Sequence, residues 1–214
     1  MEIIDLSKEI KTGMTVPSEE DDGYEDPEFT LSRTVVVNPW VTLGVKDFAV
    51  AEITMGTHTG THCDVESHII KDGKSVSDYP IETWIGWASI IDLTDYGEVT
   101  ASIIEQFAQK FRDPQAIPII RKHSTDYITA EARSKITEYR PKAIVLGRGA
   151  NQAKIDDTIG YLSNNVPMIM ESDFDALDEI EDGDLIIAVP LKLIGTEAAP
   201  IRLIAIRGLI DIEG

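Results

Sequence analysis

Three of the four histidines of this chain crowd into one short run, "GTHTGTHCDVESH" from Gly56 to His68, as His58, His62 and His68, with Asp64 and Glu66 between them. Neutral imidazole is the commonest side-chain metal ligand, and a carboxylate adds charge and a hard oxygen. A histidine met singly is ordinarily a satisfied core or surface residue. Three of them interleaved with two acids point instead to a divalent cation. Fully extended, residues 58 and 62 would stand about 13 Å apart at about 3.3 Å per residue, which is awkward for two imidazoles on one ion. In a helix the pair would be about 6 Å apart, but Gly60 and its flanking threonines are poor helix formers. The remaining solution is a strand that breaks into a tight loop, with Gly56 and Gly60 free to take positive φ angles. His58, His62 and Asp64 can then converge on one ion. Three protein ligands with open positions mark a catalytic metal site, whereas four closed ligands mark a structural one. His68, four residues beyond Asp64, is left off the metal as a general base.

Other residues near the run have plainer readings. Cys63 lies between two candidate ligands, but alternation points it away from both, as a small packed hydrophobe. His123, in "IIRKHSTDY", reads as a structural or surface residue at a strand end. Trp40, Trp84 and Trp87 are core or interface by default, and Trp84 and Trp87 follow the run closely enough to line a substrate pocket. No G-x-S-x-G elbow offers a competing serine nucleophile.

Composition narrows the partners. The 214 residues suit one domain over 1–214 with a sizeable core. With 19 Lys and Arg against 38 Asp and Glu, the formal net charge is −19. Such a surface repels phosphate backbones and anionic membranes, which argues against nucleic acid or a membrane as partner. The single cysteine forms no intramolecular disulfide, so nothing demands an oxidising compartment. No apolar run approaches the roughly 20 residues of a membrane span. "MEIIDLSKEI" reads as a strand and not as a signal peptide, so the expected location is cytoplasmic.

The run must be held by the elements around it. "SEEDDGYEDPE" (18–28) reads as an acidic loop. "FTLSRTVVV" and "FAVAEITM" are strands, the second with Ala49, Ala51, Ile53 and Met55 on the face expected to meet the core. "TASIIEQFAQKF" predicts a helix with a Ser102–Glu105 capping box. "TAEARSKITEY" predicts a helix stopped by Pro141, and "QAKIDDTIGYLS" another. "ASIIDLT", "AIPIIRK", "AIVLG", "VPMIM", "DLIIAVPL" and "IRLIAIRGLI" read as strands. Helices and strands alternate in the middle, with extra strands at both ends. That order predicts an α/β fold with a mixed β-sheet or partly closed β-barrel flanked by helices.

"HTGTHCDVESH" resembles the H-x-G-T-H-x-D-x-P-x-H motif of the cyclase family, metal-dependent hydrolases that include bacterial kynurenine formamidase and isatin hydrolase. "IIDLSKEIKTGM" is similar to the family's opening strand, and "DGKSVSDYPIETWIGWASIIDLT" to the segment after the motif. "VPMIMESDFDAL" resembles the late I-x-I-x-E-x-L-x-N-L signature and brings Glu171. "VPLKLIGTEAAPIRLIAI" resembles the closing hairpin, with Pro200 and Arg202. The resemblance implies the family's swivelling β/β/α fold. It implies one zinc or manganese ion held by His58, His62 and Asp64, with His68 as general acid/base and Glu171 on the ion or its water. The implied reaction is arylformamidase-like: metal-activated water cleaves the C–N bond of a small amide, formamide or lactam. The implied assembly is a homodimer or homotetramer.

Three departures accompany the match. Glu66 stands where the family has proline, adding an acid expected to raise the pKa of His68 or to join Trp84 and Trp87 in binding substrate. "DDTIGYLSNN" lacks the histidine with which some members hold a second metal, which favours one ion. "LGRGANQ", with Arg148 and Asn151, replaces an acidic strand end. These departures leave two alternatives: a metal-holding or small-molecule-binding relative without turnover, and a biosynthetic cyclase or dehydratase using the same site.

Overall fold

The computed structural model describes residues 1–14, 18–19, 24–25, 27–36, 48–122, 127–147, 150 and 155–209. Trp40, His123, Arg148 and Asn151 lie outside the described residues. The strands in chain order are β1 (Glu2–Asp5), β2 (Ser18–Glu19), β3 (Tyr24–Glu25), β4 (Thr30–Val36), β5 (Phe48–Thr54), β6 (His62–Asp64), β7 (Ile85–Asp92), β8 (Glu98–Val99), β9 (Ala116–Arg121) and β10 (Tyr127–Ile128). They continue with β11 (Ile144–Leu146), β12 (Met168–Met170), β13 (Leu185–Ile187), β14 (Ala198–Pro200) and β15 (Ile204–Arg207). The helices are α1 (Ala101–Gln106), α2 (Ala108–Arg112), α3 (Ala130–Glu138), α4 (Ile155–Leu162) and α5 (Phe174–Asp178).

Nine strands form one mixed sheet in the order β1-β15-β13-β7-β9-β11-β12-β6-β14. The pairs β7–β9, β9–β11 and β11–β12 are parallel, and the others are antiparallel. Parallel strands covered on both faces must be apolar throughout. "AIPIIR" and "IVL" obey this, with no exposed residue in β9 or β11. Successive residues feed two cores: Ile117, Ile119, Val145 and Ile169 enter one, and Ile120, Ile144, Leu146 and Met168 the other. Helices α1 to α4 cover the second core through Ile104, Phe111, Ile136 and Leu162. Leu6, Trp84, Leu177 and Leu203 close the first.

The sheet curls toward closure. Past β1 the chain bridges Ser7 to Ser172 just after β12, and past β13 Pro190 bridges Ile201 just after β14. The two ends of the strand order are thereby brought round toward each other, giving a half-barrel. This bears out the expected α/β mixed sheet.

Two local expectations fail. "TASIIEQFAQKF" is not one helix: α1 and α2 break at Phe107 (φ −100°, ψ 10°), and no side chain caps α1. Ser102 Oγ instead lies 2.9 Å from the hydroxyl of Thr100, the N-cap residue. The break lets both Ile104 and Phe111 bury fully. The β5 face containing Ile53 does not meet the core. Among the described residues β4 and β5 pair only with each other, in register Leu31 to Ile53 and Thr34 to Val50. Leu31, Val50 and Ile53 remain 41%, 47% and 57% exposed. Alternation identifies a strand face without saying what covers it. Elsewhere patterning holds: Thr129 Oγ1 accepts from Ala132 N to start α3, and the chain beyond Tyr139 turns through Arg140 (φ 54°) into Pro141.

Candidate metal centre

Strand β6 lies between β12 and β14. His62 faces Met170 and Pro200, and Asp64 faces Met168 and Ala198. A period of two puts His62 and Asp64 on one face and Cys63 on the other. Cys63 is fully buried in the first core. Burial, and then the charge of Asp64, pushes its thiol up to about 12. It is therefore an inert hydrophobe, as alternation predicts.

The bend ahead of β6 comes from a single glycine. Gly60 has φ +69°, while Gly56 keeps an ordinary backbone. The turn folds His58 back against His62, with ring centroids 5.1 Å apart. His62 Nδ1 lies 2.8 Å from the Gly60 carbonyl, so in the neutral ring Nδ1 carries the proton and Nε2 a lone pair. Thr61 fastens the bend from outside: its hydroxyl donates to the Glu171 carbonyl (2.7 Å) and accepts from the Lys8 amide (2.9 Å).

Asp64 Oδ1 is the focus. His58 Nδ1 approaches it to 3.0 Å and His62 Nε2 to 3.4 Å. All three residues are buried, yet Asp64 Oδ1 has no hydrogen bond. His68, half-buried on the 3-10 turn Glu66–His68, completes the group with its ring 4.6 Å from His58. Donor atoms of His58, Asp64 and His68 all lie within 4.8 Å of one another. Burial alone would raise the Asp64 carboxyl, but the charge of His62 and the approach of His58 outweigh it and hold it below the ordinary range. Burial lowers the pKa of His68, against the opposing pull of Asp64 and Glu197. His68 is thus a neutral imidazole at neutral pH.

An unsatisfied buried carboxylate oxygen faced by two ring nitrogens is costly unless a cation lies among them. Donors about 2.0–2.2 Å from one divalent ion stand roughly 3.0–3.5 Å from each other, the spacing of both His58 Nδ1 and His62 Nε2 from Asp64 Oδ1. The residues present fit such an ion.

Of the other expected site residues, Glu171 borders the bend, and Glu66, Trp84 and Trp87 have other partners. Glu171, at the end of β12 with φ 56°, pairs its carboxylate with Lys8. Glu66 turns away from His68, and its Oε2 accepts from the Lys74 amide at 3.1 Å. It therefore does not raise His68; Asp64 and Glu197 are the acids that act on that ring. Trp84 is 2% exposed in the first core with Cys63 and Val65, its ring tilted against Tyr79. Trp87 sits in β7 opposite Ala116 and Leu185. Trp84 thus packs on the Cys63 side of β6, and Trp87 lines a hollow with Gln109, Lys110 and Asp182. Sequence reading overlooked one acid. Glu197 Oε1 lies 3.5 Å from His58 Nε2 and accepts from the Thr57 hydroxyl at 2.6 Å. Its only signal was an acid in "GTEAAP", far along the chain from the motif.

Comparisons with known proteins agree with this geometry. The sequence model of the cyclase family, described as "Putative cyclase", matches residues 4–177. Kynurenine formamidase of Bacillus cytotoxicus is 28% identical over 176 residues, covering 72% of this chain and 78% of its own. That of Bacillus cereus is 28% identical over 174 residues with the same coverage. Among solved structures, isatin hydrolase A from Labrenzia aggregata, bound to benzyl benzoate, superposes with a TM-score of 0.72 at 21% identity, over 95% of this chain and 93% of that one. An isatin hydrolase bound to the product analogue thioisatinate gives 0.70 at 15% identity, over 95% and 91%. The motif, the curled mixed sheet and a match over most of the length lead to one assignment: this chain belongs to the cyclase family.

Proposed function

We propose that this protein is a metal-dependent hydrolase that opens the C–N bond of a small formamide, amide or lactam. The observation that carries this reading is the buried Asp64 oxygen, without a hydrogen bond, on which His58 Nδ1 and His62 Nε2 converge. The names of the relatives, kynurenine formamidase and isatin hydrolase, support the bond type. His58, His62 and Asp64 would hold one zinc or manganese ion, since two nitrogens and an oxygen suit either. Such an ion supplies Lewis-acid polarisation of a carbonyl and makes water more acidic.

The chain's own groups do the rest. The hydrogen bond from His62 Nδ1 to Gly60 fixes that ring so its lone pair points at Asp64. His68 is the most accessible of the three imidazoles, and burial keeps it neutral. It accepts a proton from the attacking water and returns it to the leaving nitrogen. Glu171 pairs with Lys8 and anchors the N-terminal segment beside the site. The apolar residues left exposed on β4 and β5 support a homo-oligomer in which a second copy covers the ribbon.

The test combines elemental analysis with turnover of an aryl formamide and of isatin, in added Zn²⁺ or Mn²⁺. Wild type should bind one ion per chain and hydrolyse at least one of the two. His58→Ala with His62→Ala should abolish stoichiometric metal. His68→Ala should keep the metal and lose turnover. Full metal retention by the double variant, or undiminished turnover by His68→Ala, overturns the assignment. Binding of either compound without turnover by the wild-type protein would favour a metal-holding binder.

A further inference from the structure

The ring of His58 is held between two carboxylates. Its Nδ1 faces Asp64 Oδ1 at 3.0 Å, and its Nε2 faces Glu197 Oε1 at 3.5 Å. Glu197 is itself fixed. Its backbone carbonyl accepts from Val65 N at 3.0 Å, one residue past β6, and β14 begins at the next residue, Ala198, opposite Asp64. Its side chain accepts the Thr57 hydroxyl at 2.6 Å, one residue before His58. Thr57, His58, Val65 and Glu197 thus form a loop of contacts that closes around one imidazole.

We propose that Glu197 is a positioning residue for the metal centre. Its carboxylate draws the imidazole proton onto His58 Nε2, which leaves the Nδ1 lone pair aimed at the ion site beside Asp64. The Thr57 hydroxyl aims the carboxylate. This inference rests on the metal-centre reading given above.

The physical reason is the tautomer. A neutral imidazole has one bare nitrogen, and the partner of the other nitrogen decides which. Asp64 alone would draw the proton onto Nδ1, toward itself, and spoil the ligand atom. A second carboxylate on the far nitrogen reverses that preference. Carboxylate partners of this kind fix ring orientation, raise ligand basicity and are worth about 10–100-fold in metal affinity. Two further observations agree with a working acid. The β6–β14 pairing places Glu197 at the ring nitrogen of His58 that faces away from Asp64. Glu171, the acid that the family signature brings, is committed to Lys8.

The experiment measures the Zn²⁺ dissociation constant of the full chain by competition with a chromophoric chelator, alongside the melting temperature of the metal-free protein. Glu197→Ala should weaken Zn²⁺ binding about 10–100-fold, and Thr57→Val should weaken it less. Glu197→Gln keeps an oxygen acceptor and should recover part of the loss. Metal-free melting temperatures should stay close to wild type, because the Val65 contact uses the Glu197 backbone. Unchanged Zn²⁺ affinity in Glu197→Ala overturns this inference alone. Equal losses in the Ala and Gln variants, each with a matching fall in metal-free melting temperature, would make Glu197 a structural residue and also overturn it. A wild-type protein that binds neither Zn²⁺ nor Mn²⁺ overturns the metal reading and this inference together.

Discussion

Gly60→Ala probes the bend on which the centre depends. At φ +69°, an L-residue places its Cβ close to the following carbonyl, which costs about 1–2 kcal/mol. The added Cβ would also stand 2.9 Å from Ile10 Cγ1 and 3.2 Å from Ile10 Cδ1. Ile10 is 38% exposed, so its side chain can swing aside cheaply, and the backbone term dominates. In a chain of this size each kcal/mol moves the midpoint by about 2–4 °C, so a loss of about 2–8 °C is expected. Differential scanning calorimetry on metal-free protein reads it directly. Gly60→Asn should lose less, because asparagine tolerates the left-handed region. The sign is diagnostic. Where a glycine sits at an ordinary φ, alanine stabilises by about 0.4–1 kcal/mol through the unfolded state. A Gly60→Ala protein melting at or above wild type would therefore refute the bend and the convergence of His58 on His62.

Three further outcomes are expected. Cys63, buried with its thiol raised to about 12, should resist iodoacetamide at pH 8 and react only in denaturant, as read by intact-mass spectrometry; rapid labelling of native protein would refute its packing. Burial raises the Asp5 carboxyl, but hydrogen bonds from Arg202 and the Ser7 amide, with the Arg202 charge, together outweigh it and depress it. A depressed acid stabilises the fold above its unfolded pKa and loses that effect as pH falls through the folded value. Asp5→Asn should therefore cost at most about 1 kcal/mol near neutrality for so exposed a pair, and its denaturation midpoint should merge with wild type near pH 2; a gap that persists there would refute the linkage. If a second copy covers β4 and β5, Leu31→Glu with Ile53→Lys should convert the assembly to monomers in light scattering; an unchanged mass would remove the ribbon from the interface.

The clustering of the motif residues was legible because most of it is local. His58, His62 and Asp64 need only one bend and one alternating strand to meet, and both can be read from glycine placement and the period of two. The buried strands β9, β11 and β12 were equally plain, since only a sheet covered on both faces tolerates such unbroken apolar runs. What failed depended on distant partners. Glu197 reaches His58 only through the β6–β14 pairing, and no local pattern encodes that pairing. The Lys74 amide beside Glu66 and the Lys8 ammonium beside Glu171 were likewise beyond local reading. The Ser102–Glu105 spacing suited a cap, but the start of α1 fell two residues earlier, at Thr100. Val50 to Thr54 of β5 stay exposed, although the alternation was real.

The position of β6 in the sheet carries a consequence for biosynthesis. Its neighbours are β12 and β14, both synthesised long after it. At about 5–20 residues per second, His62 and Asp64 would leave the ribosome roughly 7–30 s before Ala198–Pro200 arrive to pair with them. During that interval the nascent chain holds its histidines without their final neighbours. Assembly of the centre should therefore wait for β14, and truncated chains that stop short of Ala198 should fail to complete it.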